Sequence, residues 1–167
     1  MEMERSLVIV KPDAMQRGLM SEVLGRLERR GLRFAGLKLM QVTRELAEQH
    51  YAEHQGKPFY EGLVSYITST PVVVAAVEGP AQEIDKDTGE PKPGTGACAI
   101  IRNTVGATNP AAAAPGTIRG DFGLTIGRNL VHASDSPASG RREVAIFFTE
   151  DELLSCDRDL DGWIFEA

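Results

Sequence analysis

Cysteine is nearly absent from this 167-residue chain: Cys98 and Cys156 are the only two, and no CxxC spacing joins them. That excludes a disulfide framework and a thiolate metal site. No apolar run approaches the length of a membrane span, and the opening Met1-Glu2-Met3-Glu4-Arg5 has no apolar leader core. The expectation is a cytoplasmic, reduced protein. Positive charge is not in excess either. The formal net charge is −6, which favours solubility and argues against a broad nucleic-acid surface. Local basic groups remain free to meet phosphates. The chain has no GxxxxGK[ST] and no GxGxxG, so any bound phosphate is held without a P-loop. Internal repeats are missing as well. What is there is ordinary for a globular enzyme, 42% hydrophobic and 25% charged, and the length fits one domain with a real core.

Histidine is scarce too, with three residues. One of them, His132, lies in Asn129-Leu130-Val131-His132-Ala133-Ser134-Asp135-Ser136, surrounded by polar side chains. An imidazole is largely unprotonated at neutral pH and is a competent nucleophile or base, and a nearby hydroxyl and carboxylate can fix its tautomer. Glu143 lies eleven residues on. The other two histidines form His50-Tyr51-Ala52-Glu53-His54, an H-x-x-E-H pattern seen in some zinc proteases. That reading needs a third ligand, and the bland alternative is an exposed polar helix face. A second motif, Asp157-Arg158-Asp159-Leu160-Asp161-Gly162, fits the first half of a calcium loop, but its closing glutamate would fall beyond Ala167. A solvated acidic turn before an apolar anchor, Trp163-Ile164-Phe165, is the simpler reading.

Along the chain, Ser6 to Val10 reads as a buried strand ending at Lys11-Pro12-Asp13. Met20, Val23, Leu24 and Leu27 recur at helical spacing up to Gly31, which suits a C′ position. Phe34 to Val42 is a second strand, with Leu37 and Leu39 alternating. Thr43 caps a helix to His54. Lys57-Pro58-Phe59 breaks it and starts another ending near Thr68, making a helical hairpin that can wall a cleft. Val72 to Val77 is a third strand. Residues 80–96 are rich in Gly, Pro and charge, which predicts an exposed loop or small hairpin, with a subunit contact or the cleft mouth as the alternative site. Cys98 to Val105 is a short helix carrying Arg102, and Thr108 to Gly123 an ordered loop. Ser136-Pro137 starts a short helix toward Arg142. Val144 to Phe148 is expected to be the last strand, and Thr149 to Glu152 a capping box.

Together, Val10-Lys11-Pro12-Asp13, Lys57-Pro58-Phe59, Gly106-Ala107-Thr108-Asn109-Pro110, Pro115 to Gly123 and Asn129-x-x-His132-Ala133-Ser134-Asp135 resemble the signature segments of the nucleoside diphosphate kinases, in the family's order. The resemblance runs from about Ser6 to Phe148, broken by one insertion at about 80–96, and a C-terminal extension follows at about 149–167. It implies an α+β fold, a ferredoxin-like βαββαβ unit with a four-stranded antiparallel sheet and helices on one face. It also implies transfer of a γ-phosphate between nucleotides through a phosphohistidine on His132. Glu143 and Ser134 would support that ring. Lys11, Arg102, Arg119 and Thr108 would grip phosphates, Asn129 the sugar and Phe59 the base, with Tyr51 nearby. Magnesium would arrive on the nucleotide phosphates with no direct protein ligand. The tail resembles that of longer members, which tend to be hexamers, with a tetramer as the alternative. A binding module that holds nucleotide without turnover is the competing reading.

Overall fold

The computed structural model describes residues 2–165. Four strands form one antiparallel sheet: β1 (Met3–Val10), β2 (Arg33–Met40), β3 (Val72–Pro80) and β4 (Val131–Ala133), in the order β2-β3-β1-β4. With the helices between them this is the ferredoxin-like βαββαβ arrangement. The central strands β1 and β3 carry the apolar, fully buried runs Leu7 to Val10 and Val72 to Val77, so their side chains divide by period two between the two faces. Val8, Val10, Val73, Ala75 and Val77 enter one core; Leu7, Ile9, Val72, Val74 and Ala76 enter the other.

Helices therefore cover both faces, not one as expected. The first core is roofed by α2 (Met20–Arg29), α5 (Ala97–Val105) and α6 (Ile118–Phe122), through Val23, Leu27, Ile101, Val105 and Ile118. The second is roofed by α3 (Arg44–His50), α4 (Tyr60–Ile67) and α7 (Pro137–Phe147), through Ala47, Val64, Ile67, Val144 and Phe147. A further short helix, α1 (Pro12–Gln16), follows β1 directly. Local signals set several boundaries. Gly31 sits just past the C-cap of α2 with φ +97°, which a side chain would strain. The Thr43 hydroxyl accepts from Leu46 N at 3.3 Å and caps α3. The Thr149–Glu152 capping box is present, closing a 3-10 turn.

One element differs from the sequence expectation. Val144 to Phe148 is not a strand: Val144 to Phe147 continue α7, begun by the Ser136 cap and Pro137, and Phe148 is its C-cap. The run buries Val144 and Phe147 three residues apart on the sheet-facing side, a helical period that a short apolar run disguises. Glycine at 140 lets α7 lie close on β1, since a Cβ there would collide with the Arg5 carbonyl. The fourth strand is instead the three-residue β4, which carries His132 opposite Ile9.

Residues 81–96 form an exposed excursion with a single bridge, Ile84 to Pro91. Its base is tied by the buried Glu4 carboxylate, which accepts from Gln82 N at 3.1 Å and Cys98 N at 2.8 Å. It leaves the sheet beside Met3, the partner of Pro80, so it stands at the end of β1 remote from Lys11, about 25 Å of strand away. That places it away from the cleft mouth. The tail is not a calcium loop: Asp157 and Asp161 bind Arg33, and Asp161 also binds Arg158. Nor is Trp163 an anchor, being 88% exposed, while its neighbour Ile164 packs on Gly31.

Candidate active site

The site forms where β1 ends. Leu7, Ile9 and Lys11 point to the same side of the sheet by period, and His132 on β4 lies across from Ile9. His132 Nε2 meets Glu143 Oε2 at 3.1 Å. The same carboxylate oxygen accepts a short hydrogen bond from the Ser134 hydroxyl, which in turn accepts Leu7 N at 2.9 Å. With a carboxylate as acceptor, the proton belongs on Nε2, and Nδ1 keeps its lone pair. Ser134 thus holds the carboxylate, with its own hydrogen committed there. Burial is the main influence on the His132 pKa and lowers it, opposed by Glu143. Burial alone would raise the Glu143 carboxyl, but the bonds from His132 and Ser134 hold it below its usual value. Neutral imidazole beside ionised carboxylate is the resting pair. The His132 side chain is 21% accessible, so its free nitrogen can be reached.

Cations converge on the same place. Lys11 Nζ donates to Asn129 Oδ1 at 2.8 Å, and Asn129 Nδ2 donates to the Thr108 carbonyl at 3.0 Å. Arg119 is buried and donates to three carbonyls, Asn129 at 3.1 Å, Gly106 at 3.0 Å and Val131 at 2.6 Å. It therefore stitches the segment before His132 to the end of α5 as well as bringing charge. Arg102 Nη1 donates to the Ala133 carbonyl at 3.3 Å. The three cations feel one another. Burial and then Arg119 push Lys11 down to about 8; burial and then Arg102 push Arg119 down to about 10. Crowded, desolvated positive charge of this kind is relieved by an anion.

The remaining expected residues differ in exposure. Thr108 is exposed. Phe59 is 51% exposed at the head of α4, with the Lys57 ammonium 5.7 Å from its ring. Tyr51 is buried at the C-cap of α3, its hydroxyl pKa raised to about 12 by burial. A concavity lined by Glu45, Glu48 and Glu61 between α3 and α4 is acidic and ill suited to phosphates.

Three features escaped the sequence reading. Leu130 is buried with φ +76°, the one such non-glycine among the described residues, a conformation that costs about 1–3 kcal/mol. It is held by Lys11 N donating to its carbonyl at 2.9 Å and by its own N–H donating to Asp13 Oδ2 at 3.1 Å. Asp13 is fixed in turn by the Tyr66 hydroxyl. Leucine gives no signal of a left-handed turn, although Asp13 belongs to the Val10-Lys11-Pro12-Asp13 segment. Lastly, His50 is not on an exposed face. It is buried with its ring centroid 4.5 Å from that of His132, and its Nδ1 has no partner. His54 lies elsewhere, 3.2 Å from Lys57 Nζ, so the H-x-x-E-H pattern makes no two-histidine chelate.

The family model described as nucleoside diphosphate kinase matches residues 4–153. The chain belongs to the nucleoside diphosphate kinase family. It is 62% identical to the nucleoside diphosphate kinase of Chloroflexus aggregans, over 98% of this chain and all of the relative. It is 53% identical to that of Archaeoglobus fulgidus, over 98% and 99%. Among solved structures it resembles the Halobacterium salinarum nucleoside diphosphate kinase in complex with CDP, with TM-score 0.86, 46% identity and coverage of 99% and 100%. A Babesia bovis family protein gives TM-score 0.85 at 40% identity, with coverage of 97% and 99%. The chain is thus a nucleotide-binding phosphotransferase of that family, and no helix among its described residues is long and apolar enough to cross a membrane.

Proposed function

We propose that the chain transfers the γ-phosphate of a nucleoside triphosphate to a nucleoside diphosphate through a phosphohistidine on His132, in two half-reactions at one site. The observation that carries this is the free Nδ1 of His132, its tautomer held by Glu143 and Ser134, beside Lys11, Arg102 and Arg119. The Nδ1 lone pair attacks the γ-phosphorus. The bond from that phosphorus to the β–γ bridging oxygen breaks, and its electron pair leaves on the diphosphate. The ring becomes cationic, and the Glu143 carboxylate stabilises it through Nε2–H. A second diphosphate reverses the step, giving ping-pong kinetics.

Lys11, Arg102, Arg119 and the Thr108 hydroxyl meet the phosphates, and Arg119 also fixes the backbone around them. Asn129 bridges Lys11 and the 108 loop and contacts the sugar; Phe59, with Tyr51 nearby, receives the base. Asp13 and Glu143 already accept hydrogen bonds from the protein, which suits magnesium carried on the nucleotide phosphates, where it neutralises charge. The CDP complex of the Halobacterium relative supports a nucleoside diphosphate as acceptor. We read the chain as one cytoplasmic domain that assembles as a homo-hexamer or tetramer. Leu37 and Leu39 are exposed on the β2 edge, where an unpaired strand invites a partner. Formation of GTP from ATP and GDP tests the reading. Tight nucleotide binding without that turnover would instead identify a regulatory binding module.

A further inference from the structure

The buried ring of His50 has no role in the transfer just described, yet it lies against the nucleophile. His50 comes from α3, His132 from β4 and Glu143 from α7, and one ligand atom from each falls within 4.8 Å of the other two. Two imidazoles and a carboxylate are a donor set for zinc-type ions, whereas magnesium prefers oxygen alone. The His132 Nε2 to Glu143 Oε2 separation of 3.1 Å is close to the edge of about 3.4 Å expected between two ligands of tetrahedral zinc. The ligand atoms lie within 4.8 Å of one another, so closing the third edge to about 3.4 Å needs the His50 ring, now at 85° to that of His132, to turn and move inward. Its Nδ1 makes no hydrogen bond, so turning breaks none there. Glu143 keeps Ser134 as a supporting contact, the kind of outer partner that orients a metal ligand.

We propose that His50, His132 and Glu143 form an inhibitory site for a divalent zinc-type ion, with water in the fourth position. The consequence rests on the nucleophilic reading of His132. In the active tautomer the proton is on Nε2 and the lone pair on Nδ1. When zinc takes the Nε2 lone pair, the proton moves to Nδ1 and the ring stays neutral. The atom that attacks phosphorus then has no lone pair, and the charge partner of the ring is occupied. Inhibition follows from the tautomer, without zinc blocking the nucleotide.

The test uses the full chain free of nucleotide, with zinc chloride as probe, in a Cys156→Ser background to remove the exposed thiol. Calorimetric titration should give one zinc per chain. Removing a ligand should weaken binding at least as much as the about 10–100-fold seen for loss of an outer-shell partner, so His50→Phe and His50→Gln should each lose tenfold or more. Phosphorylation of His132 by excess magnesium-ATP should fall with added zinc in the parent, and be insensitive at the same zinc concentration in both His50 variants, each compared with its own zinc-free rate. Nitrogen-15 spectra of the histidine rings should show the His132 proton moving from Nε2 to Nδ1. Equal zinc affinity in the parent and both variants would overturn the proposal, as would undiminished phosphorylation of the zinc-saturated parent. A chain that binds zinc as described but never accepts phosphate from ATP would instead sink the transfer mechanism.

Discussion

Replacing Glu143 by glutamine isolates charge from shape at the nucleophile. Glutamine can keep an oxygen where Oε2 accepts from His132 Nε2 at 3.1 Å and from the Ser134 hydroxyl. What is lost is the negative charge that stabilises the ring as it becomes cationic. Hydrogen bonds to charged groups contribute about 1.5–3 kcal/mol against about 0.5–1.5 for neutral ones. The bond to the ring should therefore weaken by about 1–2 kcal/mol in the transition state, slowing phosphorylation roughly 5–30-fold. Glu143→Ala should be worse, about 100-fold or more, because it leaves Nε2–H and Ser134 without a partner. The assay is single-turnover phosphorylation by ATP, with ADP affinity measured separately. Affinity should hardly change, since Glu143 holds the ring and not the phosphates. The pH profile should move as well. Burial lowers the His132 pKa and Glu143 opposes that, so removing the carboxylate lowers it further. The neutral ring then persists to lower pH, and the acid limb of the rate shifts down. An unchanged rate in Glu143→Gln, or a defect confined to ADP affinity, would refute this reasoning.

Lys11 is held down near 8 by burial and Arg119; its ammonium is lost as pH rises through that value, so ADP affinity should be level below pH 8 and decline above it. The same titration on Lys11→Arg should show no such decline, and an identical one would place the effect elsewhere. Stacking on an aromatic is worth about 1–3 kcal/mol per base and tolerates every base, so ADP, GDP, CDP and UDP should all be accepted, and Phe59→Ala should weaken all four, purines most. A preference above about a thousandfold for one base would require hydrogen-bonded readout instead. Replacing residues 83–95 by a short turn should leave turnover within about an order of magnitude, because loop length alone changes closure entropy by only about 0.6 kcal/mol per doubling and the segment stands at the far end of β1 from Lys11. Collapse of the assembly in sizing experiments would show an interface there.

Residues whose chemistry is local were legible in sequence. Lys11 ends a buried strand, Thr43 and Ser136 cap helices, and Gly31 closes α2, because each depends on its own few neighbours. What failed depended on tertiary packing. Five apolar residues from Val144 read equally as strand or helix, and only burial of Val144 and Phe147 against β1 decides. β4 has three residues and a polar centre, too short to show a period. The second layer of helices becomes visible only when β1 and β3 are seen to be buried on both sides. Leu130 adopts its left-handed turn because Asp13 and Lys11 pull on its backbone from across the site, and nothing in its own side chain announces that. His50 pairs with His54 in sequence, while its partner in space is His132.

The most direct measurement is the fate of label from γ-phosphate-labelled ATP incubated with the protein alone. The account predicts a phosphoprotein that is acid-labile and base-stable, with the phosphate on Nδ1 of His132, discharged by added GDP to give GTP. His132→Ala should bind ADP yet take up no label. Full turnover in that variant, or a label that survives acid, would contradict the mechanism.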